Sequence, residues 1–172
     1  YRPQRPGSFW VRTTALGSYR EVGRACHLVT TNESRVMIDV GVNIASDTDP
    51  MPYFTAPEAL PMEKLDAVVL THAHLDHAGM LPVLFRYGYR GPVYCTPPTR
   101  DMMLLLQSDY LKVGGSEGKR APYDMEDIRT CMRHVVDVDW GQTVDITPDV
   151  KLTFHNAGHI LGSSSVHLHV GD

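Results

Sequence analysis

The chain has 172 residues, 42% of them hydrophobic and 21% charged, and a formal net charge of −4. That is about one domain of ordinary globular sequence, able to bury roughly 70% of the surface its unfolded form exposes; disordered, collagen-like and coiled-coil classes are excluded. Charge is uneven: residues 1–35 carry six Arg against Glu21 and Glu33, a pattern suited to phosphate contact or to a basic surface region on an otherwise acidic protein.

Residues 1–8 hold two Pro and one Gly without apolar period and read as a linker or arm. Strands are expected over 9–14, 25–31 and 35–40, the last reaching Asp39 and Gly41. Four Pro over 43–63 predict a long loop, and 66–71 a buried-type strand. A helix is expected from just after His77 to Tyr87, with Pro82 tolerated in its first turn and Gly88 where it stops. A short strand at 92–96 precedes a helix to about Val113, with Thr96 as N-cap and Pro97 at its first position. In it the run Met102–Leu106, with Tyr110 and Leu111, reads as core. A Gly-rich and charged loop over 114–122 follows, then a helix capped by Asp124 and reaching about His134. Strands dominate from 135 onward; Val150, Leu152 and Phe154 alternate with polar residues, as do Val166, Leu168 and Val170. His155, His167 and His169 then fall on a solvent or sheet-packing face. Strands alternate with helices and also occur in runs, which makes the class a mixed α/β sandwich.

No apolar run approaches the roughly 20 residues of a membrane helix, and no membrane partner is expected. Cys26, Cys95 and Cys131 are few and scattered, against a disulfide scaffold or zinc ribbon and in keeping with a reducing, cytoplasmic compartment.

The chemistry concentrates in Thr71-His72-Ala73-His74-Leu75-Asp76-His77. His72 and His74 are two apart, so an extended backbone points both imidazoles the same way. Asp76 and His77 sit at the turn into a helix and can serve a second locus nearby. Imidazoles with a carboxylate suit zinc, with Mn or Fe as alternatives, and two loci suggest two metals about 3.5–4 Å apart. Further ligands must come from elsewhere. His159, flanked by Gly158 and Gly162 after a strand, is the best candidate. Asp39 is a candidate supporting carboxylate that orients the metal loop by hydrogen bonds; a plain turn Asp before Gly41 is the other reading.

His72-x-His74-x-Asp76-His77, with Asp39 upstream and His159 downstream, resembles the metallo-β-lactamase fold. Ala15-Leu16-Gly17 with Arg20-Glu21-Val22-Gly23-Arg24, Pro98-Thr99-Arg100-Asp101 and Gly158-His159-Ile160-Leu161-Gly162-Ser163 narrow the resemblance to β-CASP nucleases, closest to archaeal homologues of the cleavage and polyadenylation specificity factor endonuclease. The resemblance implies an α/β fold, the αββα metallo-β-lactamase sandwich, over 9–172, present as its first half to two-thirds and stopping before a metal-bridging Asp and the β-CASP insertion. It implies a zinc-dependent ribonuclease acting in RNA 3′-end processing, 5′→3′ trimming or transcription termination. The site would take two Zn(2+): His72, His74 and His159 on one, Asp76 and His77 on the other, with Asp39 in support and Asp76, His77 and Asp39 as the catalytic set.

Single-stranded RNA, a homodimer and the transcription elongation complex are the partners so implied. Arg12, Arg20 and Arg24 are candidates for tracking the RNA backbone, and backbone N–H groups around Ser163 for holding a phosphate oxygen. Tyr19 reads as core or dimer contact, with base stacking as the alternative. A glyoxalase-II-like thioesterase or a lactamase shares the metal loop, and an inactive RNA-binding scaffold is the non-enzyme alternative.

Overall fold

A computed structural model describes residues 9–46, 48–116, 118 and 121–171. The arm expected over 1–8 lies outside the described residues. Among the described residues nine strands form two sheets. The larger has the order β1 (Arg12–Ala15), β2 (His27–Thr30), β3 (Arg35–Ile38), β4 (Ala67–Val69), β5 (Val93–Cys95), β6 (Val135–Asp137). β1, β2 and β3 pair antiparallel, whereas β3 to β6 run parallel. The smaller sheet is an antiparallel meander of β7 (Thr143–Thr147), β8 (Val150–Asn156) and β9 (Ser164–Val170).

The large sheet is covered on both faces, so its central strand β4 is apolar throughout and wholly buried. Val68 and Met37 point into one core, beneath the helices; Val36, Ala67 and Val69 point into a second, against Leu152 and Phe154 of the small sheet. The outer face of the small sheet is polar, with Lys151, His155, His167 and His169 exposed. The αββα expectation is therefore met in three layers, helices, large sheet and small sheet, among the described residues.

Among the described residues four α-helices make the outer layer: α1 (Leu75–Ala78), α2 (Leu81–Arg86), α3 (Pro97–Ser116) and α4 (Met125–Arg133). The single helix expected from His77 to Tyr87 is instead two short ones. It starts earlier, at Leu75, and breaks at Gly79–Met80, where the Met80 N–H turns aside to donate to Val40 O at 2.8 Å. Pro82 does fall in the first turn of α2. Asp124 caps α4 through a complete capping box with Asp127. α3 runs on to Ser116, through Gly114 and Gly115, where a loop was expected. Its Met103 is buried, but Leu104 and Leu105 are 40% and 68% exposed, so only part of the 102–106 run is core. The side chain of Thr96 does not serve as a helix cap: its hydroxyl turns away, to Thr99 and Gly162.

Asp149 joins the two sheets. Lying in the β7–β8 turn, it accepts hydrogen bonds from Thr31 and Ser34 of the β2–β3 turn and from Thr147. Burial would raise its pKa, but these hydroxyls outweigh that and lower it. A lowered carboxylate pKa stabilises the fold above the unfolded-state value and stops doing so as pH falls through the native one. Asp149→Ala is expected to cost about 1–3 kcal/mol at neutral pH, and the gap from the parent protein should close below about pH 4, as measured by urea unfolding across pH.

Candidate metal centre

Three neighbouring parallel strands, β3, β4 and β5, deliver Asp39, Thr71 and Thr96 just beyond their carboxyl ends, the usual place for a ligand site in such sheets. The metal loop leaves β4 at Leu70. Its continuation into α1 is held by backbone pairing to two earlier segments: Val40 N–H to His77 O at 2.7 Å, Val42 N–H to Leu75 O at 2.9 Å and Ala25 N–H to Asp76 O at 2.8 Å. These contacts are close enough that Gly41 has no room for a side chain. A Cβ there would meet Asp76 O at 1.6 Å.

Asp39 is 4% exposed and adopts φ 60°, a left-handed conformation that a short polar residue tolerates. One carboxylate oxygen accepts from Thr71 N–H and the other from Thr71 Oγ1 and His77 Nδ1, each at 2.8 Å. The ring tautomers follow from this arrangement. Thr71 Oγ1 gives its proton to Asp39, so it accepts from His72 Nδ1 at 2.9 Å and leaves His72 Nε2 with a lone pair. His77 Nδ1 donates to the carboxylate, and its Nε2 lies 3.5 Å from Asp76 Oδ2.

The loop between β8 and β9 brings in His159. Ligand atoms of His72, His74 and His159 all lie within 4.8 Å of one another, and His159 Nε2 is 3.2 Å from His74 Nδ1. Tetrahedral ligation at about 2.0–2.1 Å separates neighbouring donors by about 3.4 Å. The three nitrogens therefore fit one ion. Asp76 and His77 form an adjoining pair, the His77 ring centroid 4.1 Å from that of His72. Burial, with the neighbouring His77, lowers the His72 pKa to about 4, so its ring is neutral at neutral pH, the form a metal takes. At His77 burial pulls down, but the hydrogen bond and charge of Asp39, with Asp76, outweigh it and raise the pKa.

The five expected ligand residues and Asp39 are thus brought together; of the expected RNA contacts, Arg24 and Ser163 are engaged by other protein groups. Arg24 is 6% exposed and committed: its guanidinium pairs with Glu21 at 2.6 Å and Asp49 at 2.7 Å, donates to Tyr53 Oη and lies over the Tyr53 ring. It braces a loop and is closed to phosphate. Ser163 is 1% exposed; its N–H donates to Ile160 O and its hydroxyl accepts from His159 N and Ile160 N. The Ser164 N–H is likewise engaged, by Thr71 O. The N–H groups of Ser163 and Ser164 are therefore not available to a phosphate oxygen. Arg12 lies exposed on edge strand β1, 5.5 Å over the Trp10 ring, and Arg20 is exposed. Tyr19 is 76% exposed, which overturns its core reading. A cleft of about 490 Å³ opens against His74 and Asp76, walled by Val22, Val42, Ile44 and Leu106.

Sequence reasoning missed Thr71, Gly41, Thr96, Thr99 and Gln107. Gln107 is buried and donates to Ala78 O at 2.8 Å, fastening α1 to α3. Only Gly41, beside Asp39 at a strand end, carried a local signal.

A model of the metallo-β-lactamase superfamily domain matches residues 28–170, and the chain belongs to that superfamily. Among curated proteins it is similar to transcription termination factors FttA. It is 56% identical to that of Methanosarcina mazei over 163 residues, 95% of this chain and 26% of the relative, and 56% identical to that of Methanocaldococcus jannaschii over 166 residues, 96% and 26% respectively. The chain thus spans about a quarter of the length of these relatives. Among solved structures it resembles MEM-A1, a subclass B3 metallo-β-lactamase from a soil metagenome library, with TM-score 0.61 and 19% identity over 93% of this chain and 55% of that one. It also resembles an archaeal superfamily protein from Sulfolobus tokodaii, with TM-score 0.56 and 22% identity over 92% and 59%. These two likenesses show the fold alone.

Gly41→Ala is expected to destabilise the protein by about 2–4 kcal/mol, because neither backbone can move aside; thermal unfolding measures it. Arg24→Ala should also lower the melting temperature, whereas Arg20→Ala should leave it unchanged.

Proposed function

We propose that the protein is a zinc-dependent ribonuclease, acting on single-stranded RNA in 3′-end processing or transcription termination. The observation that carries the reading is the meeting of His159 with His72 and His74, across 85 residues of sequence. The similarity to proteins named transcription termination factors supports the RNA context. Association with the transcription elongation complex and homodimerisation belong to this proposal, as does a cytoplasmic location. Among the described residues no helix is long and apolar enough to cross a membrane.

In this reading His72, His74 and His159 hold one zinc, and Asp76 with His77 hold the second. Zinc so held would neutralise charge on a phosphoryl group and lower the pKa of water towards neutrality. Asp39 touches no reacting atom; it fixes the orientation of His77 directly and of His72 through Thr71. The Asp76 side chain is 39% exposed beside the cleft, where it can accept a proton from the attacking water. The apolar cleft wall excludes water from the flank of the bound strand. Arg20 and Tyr19, adjacent and exposed, offer a cation and a stacking ring to RNA, and Arg12 a further cation.

His72→Ala and Asp76→Ala in the intact protein are expected to abolish cleavage of single-stranded RNA, with circular dichroism unchanged. A double variant that cuts RNA at the native rate refutes the ribonuclease assignment. Turnover of a thioester or lactam in place of RNA replaces it with a small-molecule hydrolase.

A further inference from the structure

His159 sits on an exposed loop tip, yet ligation needs its ring held to a fraction of an ångström. The loop has little apolar anchorage: Leu161 is 69% exposed and Ile160 only partly buried. What fixes it is polar and buried. The carbonyl of Gly162 is met by Thr96 Oγ1 at 2.7 Å and Thr99 Oγ1 at 3.1 Å, from residues 3% and 0% exposed. Gly162 adopts φ +82°, and a Cβ there would lie 2.8 Å from Thr96 Oγ1 and from Thr99 N. The backbone is therefore seated directly on the start of α3. Ser163 passes this restraint to the ligand. Its hydroxyl accepts from the N–H groups of His159 and Ile160, at 3.0 and 3.1 Å, so the tight turn moves as one piece with Gly162.

We propose that Thr96 and Thr99 are positioning residues, which hold His159 at ligand distance from His72 and His74 by clasping the Gly162 carbonyl. The proposal rests on the metal-centre reading above. The other ligand-bearing segment is tied to the same helix, because Gln107, two turns further along the buried face of α3, holds Ala78 at the end of α1. One rigid element thus sets the distance between two stretches that are far apart in the chain. Buried hydroxyls hold a carbonyl without competition from water.

The test uses the intact protein with Thr96→Val/Thr99→Val, which keeps side-chain shape and removes the two threonine donors, leaving Gly162 O with the longer contact from Ser164 Oγ at 3.2 Å. Three quantities are read: zinc affinity by competition with a chromophoric chelator, the visible spectrum of the cobalt(II)-substituted protein, and thermal unfolding without metal. Zinc binding is expected to weaken about 10–100-fold, as for other groups that orient ligands, and the cobalt spectrum to approach that of His159→Ala. Thr96→Ser/Thr99→Ser should restore both. Leu152→Ala, a core variant remote from the loop, should lower the melting temperature while keeping native zinc affinity. Should the double valine variant fail to fold, the single variants Thr96→Val and Thr99→Val are read in the same way. Zinc affinity within about twofold of native, with a native cobalt spectrum, overturns the clasp alone. A parent protein that takes up no zinc overturns the metal-centre reading and the clasp together.

Discussion

The centre depends on one buried carboxylate. Asp39 receives three hydrogen bonds, two from Thr71 and one from His77, and so fixes both ends of the metal loop at once. A carboxylate that is 4% exposed is tolerable only when such donors replace its water, so the loop and the carboxylate hold each other in place. The contact is set by sheet register. Ile38 lies opposite Val69 in the parallel pair β3–β4, which carries Asp39 to the level of Leu70, within reach of Thr71. The left-handed backbone at Asp39 persists because its surroundings leave no alternative.

The same carboxylate separates two histidines of one short motif. His77 touches it and is biased towards the charged form; His72 reaches it only through a hydroxyl, lies deeper and stays neutral. Two imidazoles five residues apart thereby acquire different chemistry from a residue more than thirty positions upstream. Much of the remaining scaffold is backbone. The chain at Ala25 and at Val40–Val42 pairs with Leu75–His77, and the N-terminal strands are as much part of the centre as the ligands are. Helix α3 closes the arrangement, reaching α1 with Gln107 and the His159 loop with Thr96 and Thr99.

Charge in the first 35 residues illustrates the opposite case, a plain local signal with a different meaning in three dimensions. Arg20 and Arg24 are four positions apart and indistinguishable by type. Arg20 faces solvent, whereas Arg24 is enclosed by Glu21, Asp49 and Tyr53. Asp49 lies in a loop 25 residues away, so no local window reveals that this guanidinium already has its partners. Ser163 is a related case: in a glycine-flanked turn that looks open to an anion, its N–H and that of Ser164 already donate to Ile160 O and Thr71 O.

What the sequence determined by itself is what local periodicity and spacing encode. The strands came within two or three residues of their places, and the Asp124 cap fell on its residue, because alternation and capping chemistry act over a few residues. The His72–His77 cluster and the candidacy of His159 and Asp39 were legible because such donor sets are rare at strand ends. The tertiary structure alone decided the break between α1 and α2, where Val40 draws Met80 aside, and the exposure of Leu104 and Leu105 on a helix whose apolar run looked uniform. It alone decided which arginines are free, why Gly41 and Gly162 must lack side chains, and which hydroxyls hold the ligand loop. Each of these is a contact between segments distant in the chain. Such contacts are set by how layers pack and strands register, and no single stretch of residues carries them.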